Sequence, residues 1–193
     1  MKKKEFVYRE LLQKKNKKTT QLALSKKLNI SLSTVNNSLK PLIRLGAVET
    51  KPRSLEIKDR EKIIMHWANT RNLEKDIVYS TRAPVSVKKI ENSMPANILF
   101  TAYSGFKFKY DDAPADYSEV YVYADEKTKK EIEKRFSSNK KTPNLFVICE
   151  DSHLRKLSDI NIVPAQQMFV DLWNLNKWYA KDFISELRKR LKL

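Results

Sequence analysis

The stretch Gln21–Val48, QLALSKKLNISLSTVNNSLKPLIRLGAV, constrains the fold more than any other part of the chain. It reads as two short helices joined by a tight turn. In the first helix Leu22, Leu24 and Leu28 are placed for packing, and Ser25 is small enough to let two helices cross closely. Asn29 stands at the turn, where a left-handed backbone is needed and Asn tolerates it best after Gly. Ile30 is expected to plug the space between the helices. Ser31 is positioned to cap the second helix by accepting a bond from a free backbone N–H.

In the second helix Leu32, Val35, Leu39 and Leu42 recur at helical spacing and are expected inside. Ser33, Thr34, Asn36, Asn37 and Lys40 are left outside. Asn pairs bidentately with adenine, Ser and Thr adapt to bases or phosphates, and Lys reaches guanine or phosphate. These five are therefore candidate base-reading residues on a helix suited to the DNA major groove. Pro41 removes a backbone bond, but Leu42, Ile43 and Leu45 continue the apolar pattern, so a kink is expected there rather than a helix end. Gly46 is expected as a left-handed cap. Ala47–Lys51 and Ser54–Lys58 then read as a hairpin turning at Pro52-Arg53, the wing of a winged helix. Asp59 is a natural N-cap for a helix over Arg60–Asn72 with Ile63, Ile64, Trp67 and Ala68 inside. Ahead of all this, Glu5–Lys15 is expected as a helix presenting Val7, Tyr8, Leu11 and Leu12 to the core.

Charge separates the two halves of the chain. The formal net charge is +16. Residues 1–75 hold 19 basic and 7 acidic side chains, and residues 76–193 hold 20 and 16. A basic first third suits a polyanionic partner. Lys17, Lys18, Ser31, Lys51 and Arg53 are the candidate contacts to the DNA backbone, which positions a protein without specifying sequence. The boundaries implied are a winged helix-turn-helix domain over 1–75 and a mixed α/β domain over 76–193, an α+β chain as a whole.

The second half alternates elements. Ile77–Thr81, Glu119–Ala124 and Asn144–Cys149 read as strands; Val85–Met94, Ala96–Ser104, Glu126–Phe136, Pro164–Asn174 and Lys177–Leu191 read as helices. Cys149, at the end of the apolar run LFVIC, is expected to be an inert core thiol, and a single cysteine fits a reducing cytoplasm. Phe169, Trp173, Trp178, Tyr179 and Phe183 fall at helical spacing and are expected in the core or an interface, with Trp178, Phe183, Ile184 and Leu187 covering the sheet. No signal peptide and no apolar run of roughly 20 residues is present, so the chain is read as cytoplasmic with no membrane partner.

Chemistry has few candidates. Two glycines, Gly46 and Gly105, are too few for a Walker A loop, a dinucleotide fingerprint or a kinase glycine loop. His66, His153 and Cys149 are too few and too scattered for a zinc finger. Clustered carboxylates hold catalytic metals in nucleases and nucleotidyltransferases, which makes Asp111, Asp112, Glu150 and Asp151 the candidates for an alternative reading, a nucleic-acid-processing enzyme. Asp171 is a further acid, set in an apolar helix start. None of them has a Lys or second carboxylate at nuclease-core spacing, so the expectation is a binding protein, not an enzyme, with no cofactor and no metal.

Several short segments resemble the AbiEi-type transcriptional regulators, which include the antitoxins of type IV toxin–antitoxin systems. They are Ile63–Arg71 (IIMHWANTR, like LLxxWAxxR), Leu99–Ala102 (like LTG, with Ala102 where such proteins often carry Gly), the strand Val120–Tyr123, and Gln167–Leu172 (like QxxxDL). The resemblance implies a winged helix that binds inverted repeats in double-stranded DNA at its own promoter, with a homodimer or two monomers on the repeat. It also implies a C-terminal domain that supports repression and, in true antitoxins, counters a nucleotidyltransferase-like toxin encoded alongside.

Overall fold

The structure, a computed structural model, describes residues 3–13 and 18–193, and the chain divides between Arg71 and Asn72 into two units. In the first unit α1 (Lys3–Gln13) precedes a short strand β1 (Lys18–Thr19), the helix pair α2 (Gln21–Leu28) and α3 (Leu32–Arg44), a hairpin β2 (Val48–Lys51) and β3 (Ser54–Ile57), and α4 (Arg60–Thr70). Thr20 caps α2, its Oγ1 accepting from the Ala23 N–H at 2.9 Å. Asn29 takes the left-handed conformation at φ 50° and ψ 48°. Ser25 does more than allow close crossing: its Oγ donates to the Ile30 carbonyl at 2.6 Å and closes the turn. α3 runs through Pro41 without ending. Past Leu45 the Gly46 N–H bonds Ile43 O and the Ala47 N–H bonds Leu42 O, both at 2.9 Å, the paired closure that requires the φ of +68° that Gly46 supplies.

Val35, Leu39 and Leu42 of α3 lie inside with Leu24, Leu28 and Ile30, against Val7 and Leu11 of α1 and Ile63, Ile64 and Trp67 of α4. Two leucines expected there are outside: Leu22 is 54% exposed and Leu32 49%. Each sits in the first turn of its helix. A polar node ties the ends of this unit together, Trp67 Nε1 donating to Glu5 Oε2 at 3.1 Å and Arg71 pairing with the same carboxyl. Arg60 closes the other end of α1 by donating to the Leu12 carbonyl at 2.7 Å. β1 is too short to leave a signal in the sequence pattern; it adds to β3 antiparallel, giving sheet order β1-β3-β2.

The second unit holds β4 (Ile77–Thr81), α5 (Val87–Asn92), β5 (Leu99–Thr101), α6 (Ala102–Tyr110), β6 (Val120–Ala124), α7 (Glu126–Arg135), β7 (Leu145–Cys149), α8 (Ser152–Leu157), α9 (Ala165–Trp173) and α10 (Ala180–Leu191). The sheet order is β4-β7-β6-β5, with β6 and β7 parallel and the outer pairs antiparallel. Val120, Val122, Leu145 and Val147 pack with Ile90 of α5 and Ile132 of α7 on one face. Tyr121 and Tyr123 point to the other, where Tyr121 meets Tyr103 edge-on and Tyr103 in turn meets Phe183. Burial on both faces explains why β6 is buried at every position rather than alternately.

Three expectations are corrected here. Ala96–Ser104 is not a helix; it holds strand β5 and the first turn of α6, because an apolar run that short carries no distinguishing period. Cys149, the last residue of β7, is exposed. Trp178 is 79% exposed and covers no sheet, lying before α10 begins. His153 lies in helix α8, which Asp151 caps.

Candidate nucleic-acid interface

The cap of α3 determines which of its polar groups are available. Ser31 Oγ accepts from the Thr34 N–H at 3.1 Å and lies 2.8 Å from Thr34 Oγ1. Thr34 is only half-buried, and its carbonyl also accepts from Ser38 Oγ at 2.7 Å. Ser31 and Thr34 thus engage each other's hydroxyls at the helix entry. Advancing about 100° per residue, Ser33, Asn37 and Lys40 fall opposite the buried Val35–Leu39–Leu42 face, and all three are exposed. Asn36 is exposed on the flank, where its Nδ2 donates to Gln21 Oε1 at 3.3 Å. The structure therefore brings Ser33, Asn36, Asn37 and Lys40 onto one solvent-facing surface and sets Thr34 at its margin.

Two residues of this surface escaped the sequence reading. Arg44 is exposed and lies one turn beyond Lys40 on the same line; the helical period alone could have found it. Gln21 belongs to the surface only through its bond to Asn36, a contact between two helices that no local pattern reveals.

The hairpin is less basic in effect than its lysines suggest. Glu49 and Glu56 face each other directly across β2 and β3, a like-charge pairing that costs stability unless countered. Lys58 Nζ lies 2.9 Å from Glu49 and 3.1 Å from Glu56, and Lys51 Nζ lies 4.0 and 3.4 Å from the same two carboxylates. Bonding to Lys58 is the main reason both carboxyls titrate below the usual range, and bonding to Glu49 holds Lys58 above its own. Lys51 is therefore a member of a balanced quartet. Arg53 is exposed at the tip beyond it. Lys18 is exposed in β1, opposite Glu56 in register, and Lys17 lies outside the described residues.

Residues 10–49, spanning the end of α1, both helices of the pair and the start of the hairpin, match the protein family described as "Winged helix-turn-helix DNA-binding". The N-terminal unit is a winged helix-turn-helix. Neither a curated protein nor a solved structure matches the chain. In the winged helix-turn-helix α3 is the recognition helix and β2–β3 the wing, which makes DNA the partner of this unit and the protein a DNA-binding regulator. No helix of the described residues is long and apolar enough to cross a membrane.

Four of the five acids considered for metal chemistry have other partners. Glu150 forms a two-pronged ion pair with Arg155, with Nε to Oε1 at 2.6 Å. Asp151 Oδ1 accepts from the Leu154 N–H at 2.8 Å as the cap of α8. Asp111 ends α6 in the left-handed conformation, and Asp112 lies 3.6 Å from Arg190. Asp171 is fully buried, accepting from Thr101 Oγ1 at 2.7 Å, Tyr123 Oη at 2.9 Å and Gln167 Nε2 at 2.9 Å. Thr101, Tyr123 and Gln167 thus converge on Asp171 in one buried node. Trp67 and Arg71 meet Glu5 in another.

Proposed function

We propose that the protein is a sequence-specific transcriptional autorepressor, reading an inverted repeat in its own promoter through α3, and that its C-terminal unit acts as an antitoxin toward a nucleotidyltransferase-like toxin. The observation that carries the first part is the surface formed by Ser33, Asn36, Asn37 and Lys40, opposite the buried Val35–Leu39–Leu42 face of a recognition helix. Ser33, Asn36, Asn37 and Lys40 contact base edges. Thr34 adds its methyl and hydroxyl at the margin. Ser31, Lys17, Lys18, Lys51 and Arg53 position the duplex through phosphates, with Arg53 the freest of the wing cations. The antitoxin part is supported by the meeting of the resemblance residues at two buried nodes, which gives those short segments a common structural reason.

Gel-shift titration on the gene's own upstream region, at two salt concentrations, tests the repressor. Preference for that region over random duplex is expected, and equal affinity for both would refute it. Replacing Asn36 or Asn37 with Ala is expected to lower site preference by about 1–3 kcal/mol for each bidentate pairing removed, while sparing non-specific binding. Co-expression with the neighbouring reading frame tests the antitoxin role; a neighbour whose toxicity this chain leaves unrelieved would count against it.

Binding rather than catalysis is assigned to the second unit, supported by the use of Glu150, Asp151 and Asp171 as ion-pair partner, helix cap and buried acceptor. Incubation with DNA and RNA in magnesium or manganese is expected to leave both intact. Cleavage abolished by replacing Glu150 or Asp151 would overturn this.

A further inference from the structure

Leu22 and Leu32 are two side chains that the helix period places inside and the fold leaves outside. Both line one groove of about 390 Å³, whose opposite wall is the wing with Thr50, Lys51 and Arg53. Leu32 is the first residue of the recognition helix, and the first residues of such a helix are those that meet base edges. Asn36, one turn later on the same flank, has its amide held by Gln21 at 3.3 Å. An exposed branched side chain therefore stands beside an oriented carboxamide, at the mouth of a groove that carries Arg53 on its far wall.

On the major-groove edges of B-DNA the C5-methyl of thymine is the apolar group, and adenine offers the paired N6 donor and N7 acceptor that a carboxamide matches. We propose that this flank makes the protein a reader of A·T pairs: Leu32, backed by Leu22, packs on a thymine methyl, and Asn36 pairs with a neighbouring adenine. The proposal rests on the DNA-binding reading of α3 and adds the base class that it selects. A protein occupant of the groove is disfavoured by its rim, since the exposed Arg53 at the wing tip suits a phosphate beside the base being read.

The test uses the full chain. Preferred duplexes are selected from a random pool, and each thymine of the enriched half-site is then replaced singly by deoxyuracil, which removes the methyl and nothing else. An A·T-centred half-site is expected, with one or two positions at which deoxyuracil weakens binding by about fourfold, the effect of one buried methyl. In Leu32→Ala that difference between thymine and deoxyuracil is expected to vanish. A deoxyuracil scan of the wild-type chain that changes nothing, or a G·C-centred half-site, would overturn the proposal without any variant being made. Equal weakening of thymine and deoxyuracil duplexes by Leu32→Ala would also overturn it, placing Leu32 on the sugar–phosphate chain. Selection that enriches no sequence at all would instead remove the regulator reading on which the proposal stands.

Discussion

Replacing both wing carboxylates, Glu49→Gln with Glu56→Gln, is expected to strengthen DNA binding and make it more sensitive to salt. Two lysines, Lys51 and Lys58, face these two carboxylates at 2.9 to 4.0 Å, so the four charges cancel and the outer face of the wing repels phosphate as much as it attracts it. The double substitution leaves two uncompensated ammonium groups. Each one that neutralises a phosphate releases condensed counterions and steepens the plot of log affinity against log salt by about 0.9. Between 50 and 200 mM salt that is about a 3.5-fold larger loss of affinity for one new phosphate neutralised, and about twelvefold for two. Fluorescence anisotropy with a labelled duplex at four salt concentrations measures the slope directly. Glu126→Gln with Glu133→Gln removes the same charge from the cluster around Lys129 in the other unit, and is expected to leave the slope unchanged. A slope that stays the same or becomes shallower in the wing variant would show that this face of the hairpin does not meet the phosphates, and the roles given to Lys18 and Lys51 would go with it.

The cores of the two units give further expected outcomes. Asp171→Ala removes the acceptor of three donors in a fully buried site, and about 3 kcal/mol or more of stability is expected to disappear from the second unit; urea unfolding followed through Trp173 and Trp178 checks this, and a loss below about 1 kcal/mol would refute it. The two glycines are expected to separate by mechanism. Gly46→Ala costs about 1 kcal/mol through its φ of +68° alone, because a Cβ there meets nothing within 4 Å. Gly105→Ala costs about 1–3 kcal/mol from overpacking, its Cβ falling 2.9 Å from the Phe100 carbonyl oxygen and 3.1 Å from Met168 Cε. Urea titration of each variant checks both. His66 is expected to make the first unit acid-sensitive: burial, then the charge of Lys4, holds its pKa below the ordinary 6.5. The unfolded chain then takes up a proton near pH 6.5 that the folded one refuses, so stability is full above that pH and falls as the pH drops toward the folded value. His66→Gln is expected to flatten thermal stability between about pH 7 and pH 5, and an unchanged pH profile would exclude the mechanism.

Much of the first unit was legible because its signals are local. Ser31 caps α3 and Asp59 caps α4 through bonds that span three residues, and Asn29 and Gly46 announce left-handed positions by residue type. The period of Val35, Leu39 and Leu42 identified the inner face of the recognition helix, and the outer face followed by subtraction. The same reasoning failed at Leu22 and Leu32, since a period gives the direction of a face and not how far the neighbouring elements extend beneath it. It failed at Ala96–Ser104 too, where the strand is three residues long.

The winged helix-turn-helix and its polar outer surface are thus written in the amino-acid order, because caps, turns and helical faces are set within a few residues of one another. How those residues are used depends on folding. Glu49 pairs with Glu56 across the wing, Asn36 bonds to Gln21, and Thr101 and Tyr123 gather on Asp171, the first of these two from 70 positions away. Such contacts depend on sheet register and helix packing, and those are fixed by the burial of the whole core rather than by any segment of it. The basic wing read from Lys51 and Arg53 becomes, once folded, a balanced quartet with one cation at its tip.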